Sequence, residues 1–161
     1  MFVRTGLVVA SLATLVLPAV AQQQRSPVEW VNMQTGRALP ANVVIGGDNG
    51  DGRVLHVCRG QHRNGWHTGK LLNGRCNFGW GGAEIVAGQY QVLRGYGVWR
   101  RPFGDLDRAY IGGGSGNERY RICRAPYRGG VHPGKVVAGR CNIGWGGREL
   151  VIDGFEALYP R

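Results

Sequence analysis

The strongest constraint on how this chain can fold is that it is written twice. Displacing the sequence on itself by 65 positions sets Cys58 on Cys123, His67 on His132, Lys70 on Lys135 and Cys76 on Cys141. The octets RCNFGWGG, Arg75 to Gly82, and RCNIGWGG, Arg140 to Gly147, then coincide at every position but Phe78/Ile143. Farther on, Glu84 falls on Glu149 and Tyr90 on Phe155. Upstream one gap lets Ile45-Gly46-Gly47 meet Ile111-Gly112-Gly113, and Trp30 can be set on Trp99. The copies run from about Val28 to Leu93 and from about Val98 to Tyr159. A unit this short cannot easily cover both faces of its own sheet, and two such units can cover each other.

Within a copy the local signals are those of strands. Runs such as Val54-Leu55-His56-Val57-Cys58, Glu84-Ile85-Val86, Tyr90-Gln91-Val92-Leu93 and Tyr120-Arg121-Ile122-Cys123 are broken by Gly and Asn clusters. No stretch holds an apolar 3.6 period for a dozen residues, and 29 glycines would weaken any helix. The expected fold is all-β: one β-sandwich of antiparallel sheets over residues 22–161, with pseudo-twofold symmetry between the repeats. The segment joining the repeats carries Tyr96, Trp99 and Phe103, which fit packing better than a free linker.

Residues 1–21 read differently. Arg4, an apolar run from Gly6 to Leu17, and Ala19-Val20-Ala21 before Gln22 have the pattern of a secretory signal peptide. The apolar run is shorter than the ~20 residues of a membrane-spanning helix, so a secreted product without a transmembrane segment is expected. Export places Cys58, Cys76, Cys123 and Cys141 in an oxidising compartment. Four cysteines permit three pairings. Bridges within a copy, Cys58 to Cys76 and Cys123 to Cys141, are favoured because each closes a modest loop between neighbouring strands.

The formal net charge of +10 favours anionic partners without specifying a fold. Of 20 basic residues only Lys70 and Lys135 are lysine, and they share one repeat position. That position is expected to need an ammonium on a flexible stem rather than a planar guanidinium. Each copy also contains Cys-x8-His-x8-Cys, but structural zinc sites bring ligands two to four residues apart, so no metal and no cofactor are expected. Ser115 lacks the context of a nucleophile elbow, and "IGGGSG" lacks the Lys-Ser/Thr of a phosphate loop. Catalysis is therefore not expected, and no nucleic-acid reader module is present.

A binding site is easier to build. Asp48 in "GGDNGDG" supplies a carboxylate and Lys70 in "HTGK" an ammonium, a pair that can read adjacent sugar hydroxyls. Lys135 repeats the ammonium, Glu84 and Glu149 are further candidate carboxylates, and Trp66 or Trp80 could stack on a sugar ring. Burial tendency, however, favours core positions for the tryptophans.

The ordered series "LPANVVIGG" with Asp48, "LHVCRG", "HTGK", "GRCNFGWGGAE" and "YQVL", then "YRICRAPYRGGVHPGK", "GRCNIGWGGRE" and "FEAL", resembles two tandem DM-nine repeats across nearly all of the chain beyond the leader. The resemblance implies a sandwich whose repeats are intertwined and, in well understood relatives, a mannose-binding lectin of innate recognition; similar modules also accompany pore-forming toxin domains. The acid after the Gly-rich turn and the lysine of the "PGK" turn hold the sugar there, which corresponds to Asp48 and Lys70. Repeat two departs from this pattern: Gly114 stands in the place of Asp48, with Ser115 and Asn117 the nearest polar residues.

The expectation is thus a secreted, non-catalytic glycan-binding protein, with avidity gained through a homodimer or clustered targets. The alternatives are a basic binder of anionic glycans, lipid headgroups or other polyanions, and a toxin-associated or structural module without a working sugar site.

Overall fold

The structure, a computed structural model, describes residues 28–161. The expected signal peptide lies outside the described residues. Repeat one supplies β1 (Glu29–Gln34), β2 (Ile45–Asp48), β3 (Val54–His62), β4 (Gly65–Leu72), β5 (Arg75–Trp80), β6 (Ala83–Ala87) and β7 (Gln89–Arg94). Repeat two supplies β8 (Val98–Arg100), β9 (Ile111–Ser115), β10 (Glu118–Tyr127), β11 (Gly130–Val137), β12 (Arg140–Trp145), β13 (Arg148–Ile152) and β14 (Glu156–Tyr159), with one 3₁₀ turn at Leu106–Arg108. The all-β expectation holds.

Every described pairing is antiparallel. An arc of strands runs β4-β5-β6-β13-β12-β11, crossing between repeats where Ala83 of β6 pairs with Arg148 of β13. β3 and β2 close this arc into an eight-stranded barrel, because β3 pairs with β4 and β2 reaches β11 at Asp48 and Val131. β10 and β9 span the same two arc ends, with Gly65 and Trp66 of β4 facing Ser115 and Gly114 of β9. The pair β1/β7 extends from β3, and the pair β8/β14 extends from β10. The sequence pattern suggested two open facing sheets; hydrogen bonding instead continues around a closed barrel with added strands.

Two glycines explain the tight curl. A Cβ at Gly69 would lie 2.0 Å from the Asn77 carbonyl oxygen, and one at Gly134 would lie 2.1 Å from that of Asn142. Only glycine lets β5 fold over β4, and β12 over β11, at this separation. The curl brings β5 back to β3, where the Cys58–Cys76 disulfide joins them across β4; Cys123–Cys141 does the same in repeat two. Both expected bridges are present. Closing a loop with a sequence separation of 18 stabilises by about 3 kcal/mol per bridge through the unfolded chain.

Each bridge sits in the apolar cluster of its own repeat: Phe78, Val92 and Leu71 around the first, Ile143, Val136 and Phe155 around the second. A third cluster is shared. Val57 and Leu93 meet their repeat-two equivalents Ile122 and Leu158, with Trp30 and Trp99 packed against them. Fully burying each of these aliphatic side chains contributes roughly 1.5–3 kcal/mol. Each repeat thus completes its core with the other.

Candidate functional site

The two lysines stand on β4 and β11, the strands at which the barrel branches. Lys70 Nζ donates to the Gly144 carbonyl of repeat two at 2.7 Å and lies 3.4 Å from Glu84 Oε1. Lys135 Nζ donates to the Gly79 carbonyl of repeat one and lies 3.4 Å from Glu149 Oε1. Both lysine side chains are 3% exposed. A guanidinium fork would not fit a carbonyl and a carboxylate at the end of this narrow reach, whereas a four-carbon stem with a compact head does.

The doubled GWGG segments receive these side chains. Gly81-Gly82 and Gly146-Gly147 have φ of 59°, 84°, 60° and 80°, the pattern of two-residue hairpin turns that a glycine pair adopts without strain. Each turn presents the N–H of its second glycine to the other repeat. Gly82 N donates to Glu149 Oε2, and Gly147 N to Glu84 Oε2, both at 3.0 Å. Each glutamate therefore holds one lysine and one turn of the opposite repeat.

A buried histidine adjoins each lysine. His132 Nε2 lies 3.1 Å from the Tyr127 carbonyl oxygen, and His67 Nε2 lies 3.3 Å from that of His62. A carbonyl only accepts, so each Nε2 carries the hydrogen and each Nδ1 is a bare lone pair. Neither Nδ1 has a hydrogen-bond partner among the described residues. Burial, then the neighbouring Lys135 charge, pushes His67 down to about 4. His132 is lowered by burial and then by Lys70, against the opposing pull of the Tyr127 carbonyl, Asp48 and Glu84. Burial also lowers both lysines, and their glutamates oppose that shift.

Asp48 ends β2 on the strand beside His132, its backbone facing Val131. Oδ1 accepts from Gly50 N at 2.8 Å, which fixes the carboxylate in the turn. Asp48 and Lys70 form no ion pair among the described residues; what they share is His132, on which both charges act. Asp48, Lys70, Glu84 and His132 thus form one constellation, and Lys135, Glu149 and His67 form its counterpart.

Residues 13–87 match the family model of the DM9 repeat. Over that stretch the chain is similar to a DM9 repeat. No curated protein sequence matches it. Among solved structures it is similar to the nematode sperm cell motility protein MFP2B, at 21% identity and a TM-score of 0.63, over 82% of this chain and 46% of that one. The chain corresponds to under half the length of MFP2B, and the likeness is one of fold.

Outside the DM9 match, the second constellation contains residues that the sequence pattern did not single out. Tyr120, at the repeat position of Leu55, stacks on His67 with ring centroids 5.8 Å apart and lies 6.0 Å from Lys135 Nζ. Its hydroxyl donates to Glu118 Oε2 at 2.8 Å. Burial, then Glu118, pushes the phenol up to about 12. The carboxylate missing at Gly114 is thus supplied from β10, through a phenol. The Leu55/Tyr120 mismatch within the repeat was the available signal.

Trp66 is placed elsewhere. Its ring stacks on the Arg59 guanidinium at 4.7 Å, toward the β3–β4 turn. The tryptophans as a group are not fully buried as expected. Trp66, Trp80 and Trp145 are half-buried beneath Arg59, Arg63 and Arg128 respectively. Arginine's planar head suits this role, which accounts for its dominance over lysine.

Proposed function

We propose that the protein is a secreted, non-catalytic carbohydrate-binding protein of the mannose-lectin type, with a neutral sugar held by Asp48 and Lys70. The observation that carries this reading is the set of unsatisfied polar atoms around His132. The Lys70 ammonium has three N–H donors, of which Gly144 O and Glu84 take two. Lys70 and Asp48 both act on His132, whose Nδ1 is buried and unpaired, and Asp48 keeps a carboxylate oxygen free of the Gly50 turn. A sugar hydroxyl accepts and donates at once, so adjacent hydroxyls can take the ammonium hydrogen while donating to the Asp48 carboxylate. Glu84 positions Lys70; Lys135 with Glu149 forms the matching tie of the other repeat, where Tyr120 lies over the lysine and, among the described residues, no aspartate stands.

The two disulfides and the absence of any long apolar helix among the described residues are compatible with export. A single sugar site is weak, and a homodimer or clustered glycans would supply avidity. The direct test is mannose and mannan binding by calorimetry for wild type and Asp48→Asn. The asparagine preserves the turn to Gly50 and removes the charge. Affinity is expected to fall about tenfold, the loss of one charge-assisted hydrogen bond. Unchanged affinity in the variant, or no sugar binding by wild type, overturns the reading. Oligosaccharide recovered intact after prolonged incubation is the outcome expected of a non-catalytic binder.

A further inference from the structure

Repeat one carries a cleft beside the β3–β4 turn that neither Asp48 nor Lys70 lines. It measures about 500 Å³ and is walled by Trp66, four amides (Asn32, Gln34, Gln61 and Gln89) and Arg63. No carboxylate lines it. Behind Trp66 lies Arg59, its guanidinium sandwiched between the Trp30 and Trp66 rings at 4.3 and 4.7 Å. Arg59 Nε donates to Gln91 Oε1 at 2.6 Å and its Nη1 to the Gly112 carbonyl at 3.1 Å.

Repeat two shows what is unusual about this arrangement. The equivalent Arg124 stacks on Trp99 at 4.7 Å and is neutralised by Glu156, with Nε 2.7 Å and Nη2 2.6 Å from Oε2. Gln91 occupies the position of Glu156 and makes the same contact without the charge. Arg59 and Arg63 form no ion pair among the described residues. The repeat-two cleft is also smaller, about 270 Å³, and there Pro126 and Val131 replace Gln61 and Trp66. The amides, the indole and the missing counter-charge therefore occur together, in one repeat only.

We propose that this cleft binds an acidic saccharide, a sugar ring carrying a carboxylate or sulfate. The amides are donors and acceptors at once and suit ring hydroxyls; Trp66 offers an apolar face to the ring; the anionic substituent meets Arg63 on the cleft wall and is drawn through space by the Arg59 charge behind the indole, which Gln91 leaves uncompensated. This is a site separate from the neutral-sugar constellation. Its ligand differs in charge, so the two can be read independently.

Calorimetric or tryptophan-fluorescence titration with tetragalacturonate, a heparin tetrasaccharide and neutral mannotetraose tests it, at 50 and 300 mM salt, where the Debye length is about 14 and about 6 Å. At least one acidic oligomer is expected to bind more tightly than mannotetraose at this cleft, and to weaken with salt. The carboxylate and sulfate probes distinguish the two sources of charge. Gln91→Glu reproduces the repeat-two pair in place; it is expected to weaken acidic binding about tenfold while leaving the melting temperature unchanged or raised. Gln61→Ala with Gln89→Ala, both exposed, is expected to weaken it without affecting the fold. Asp48→Asn is expected to leave it intact. Acidic binding that survives Gln91→Glu unchanged, is lost in Asp48→Asn, or is absent in wild type overturns the proposal. Acidic binding that responds to Gln91→Glu in a protein that ignores mannose would sustain it and defeat the neutral-sugar reading instead.

Discussion

Beside His132 of the first constellation stands Asp48, whereas the corresponding place beside His67 is held by Gly114, with Tyr120 and Glu118 filling the space from the neighbouring strand. The parts that tie the repeats together are the same in both: a lysine reaching a GWGG carbonyl, and a glutamate reaching a glycine N–H. The residues beside the histidine differ. Duplication has kept the interlock and changed its surroundings, so a repeated lysine is first a structural tie, and on one side only does an aspartate act on the same histidine.

The largest expected effect tests the shared part. Lys70→Met and Lys135→Met each take the counter-charge from a largely buried glutamate, which keeps only its glycine N–H, and leave a glycine carbonyl unpaired; each is expected to lower unfolding free energy by about 3–5 kcal/mol in urea melts. Similar losses in both variants support a common interlock. A loss confined to one would show that the ties are unequal.

Acid comes next. A histidine with a folded-state pKa below its unfolded value binds fewer protons when folded. Its stabilising contribution is fully present above about 6.5 and is lost as pH falls toward the folded value, about 4 for His67. Thermal melts from pH 7 to pH 4 are expected to lose up to about 3 kcal/mol through this residue, with His132 adding in the same direction. His67→Phe should flatten that dependence. A slope unaltered by the substitution would place the acid sensitivity elsewhere.

Restoring the missing acid is expected to cost stability rather than create a site. A Cβ at Gly114 would lie 2.3 Å from the Glu118 carbonyl oxygen, so Gly114→Asp forces β9 away from β10 at about 1–3 kcal/mol. Sugar stoichiometry in calorimetry should not rise. A second equivalent of sugar bound by a stable Gly114→Asp protein would show that the difference between the repeats is one residue deep. The smallest effect is on the other side: Asp48→Asn should change stability by less than about 0.5 kcal/mol, since the half-exposed side chain keeps its turn. Loss of sugar affinity in that variant is then a site effect.

Much of this was legible residue by residue. The strand runs, the paired Gly turns and the half-cystines 18 positions apart act over short distances along the chain, and local pattern reports them directly. The restriction of lysine to one repeat position pointed to a demand for an ammonium, which the carbonyl contacts meet. The partner in each contact was not legible. Gly144 lies 74 residues from Lys70 and Gly79 lies 56 from Lys135, separations at which no periodicity or turn rule operates. The tryptophans were misjudged for a related reason: hydrophobicity alone favoured burial, while stacking beneath arginine depends on which side of a closed sheet each residue reaches.

The sequence by itself determined that the protein is a duplicated all-β chain, where it turns, which cysteines could bridge and which position must carry an ammonium, because each follows from chemistry within a few residues or from the repeat. Tertiary structure alone decided that the strands close into a barrel, that the lysines cross between repeats, that His132 Nδ1 is left bare and that Arg59 lacks a counter-charge. These depend on which backbone meets which across the closure, and Gly69 and Gly134, by admitting a neighbouring strand where a side chain would stand, allow that closure to form.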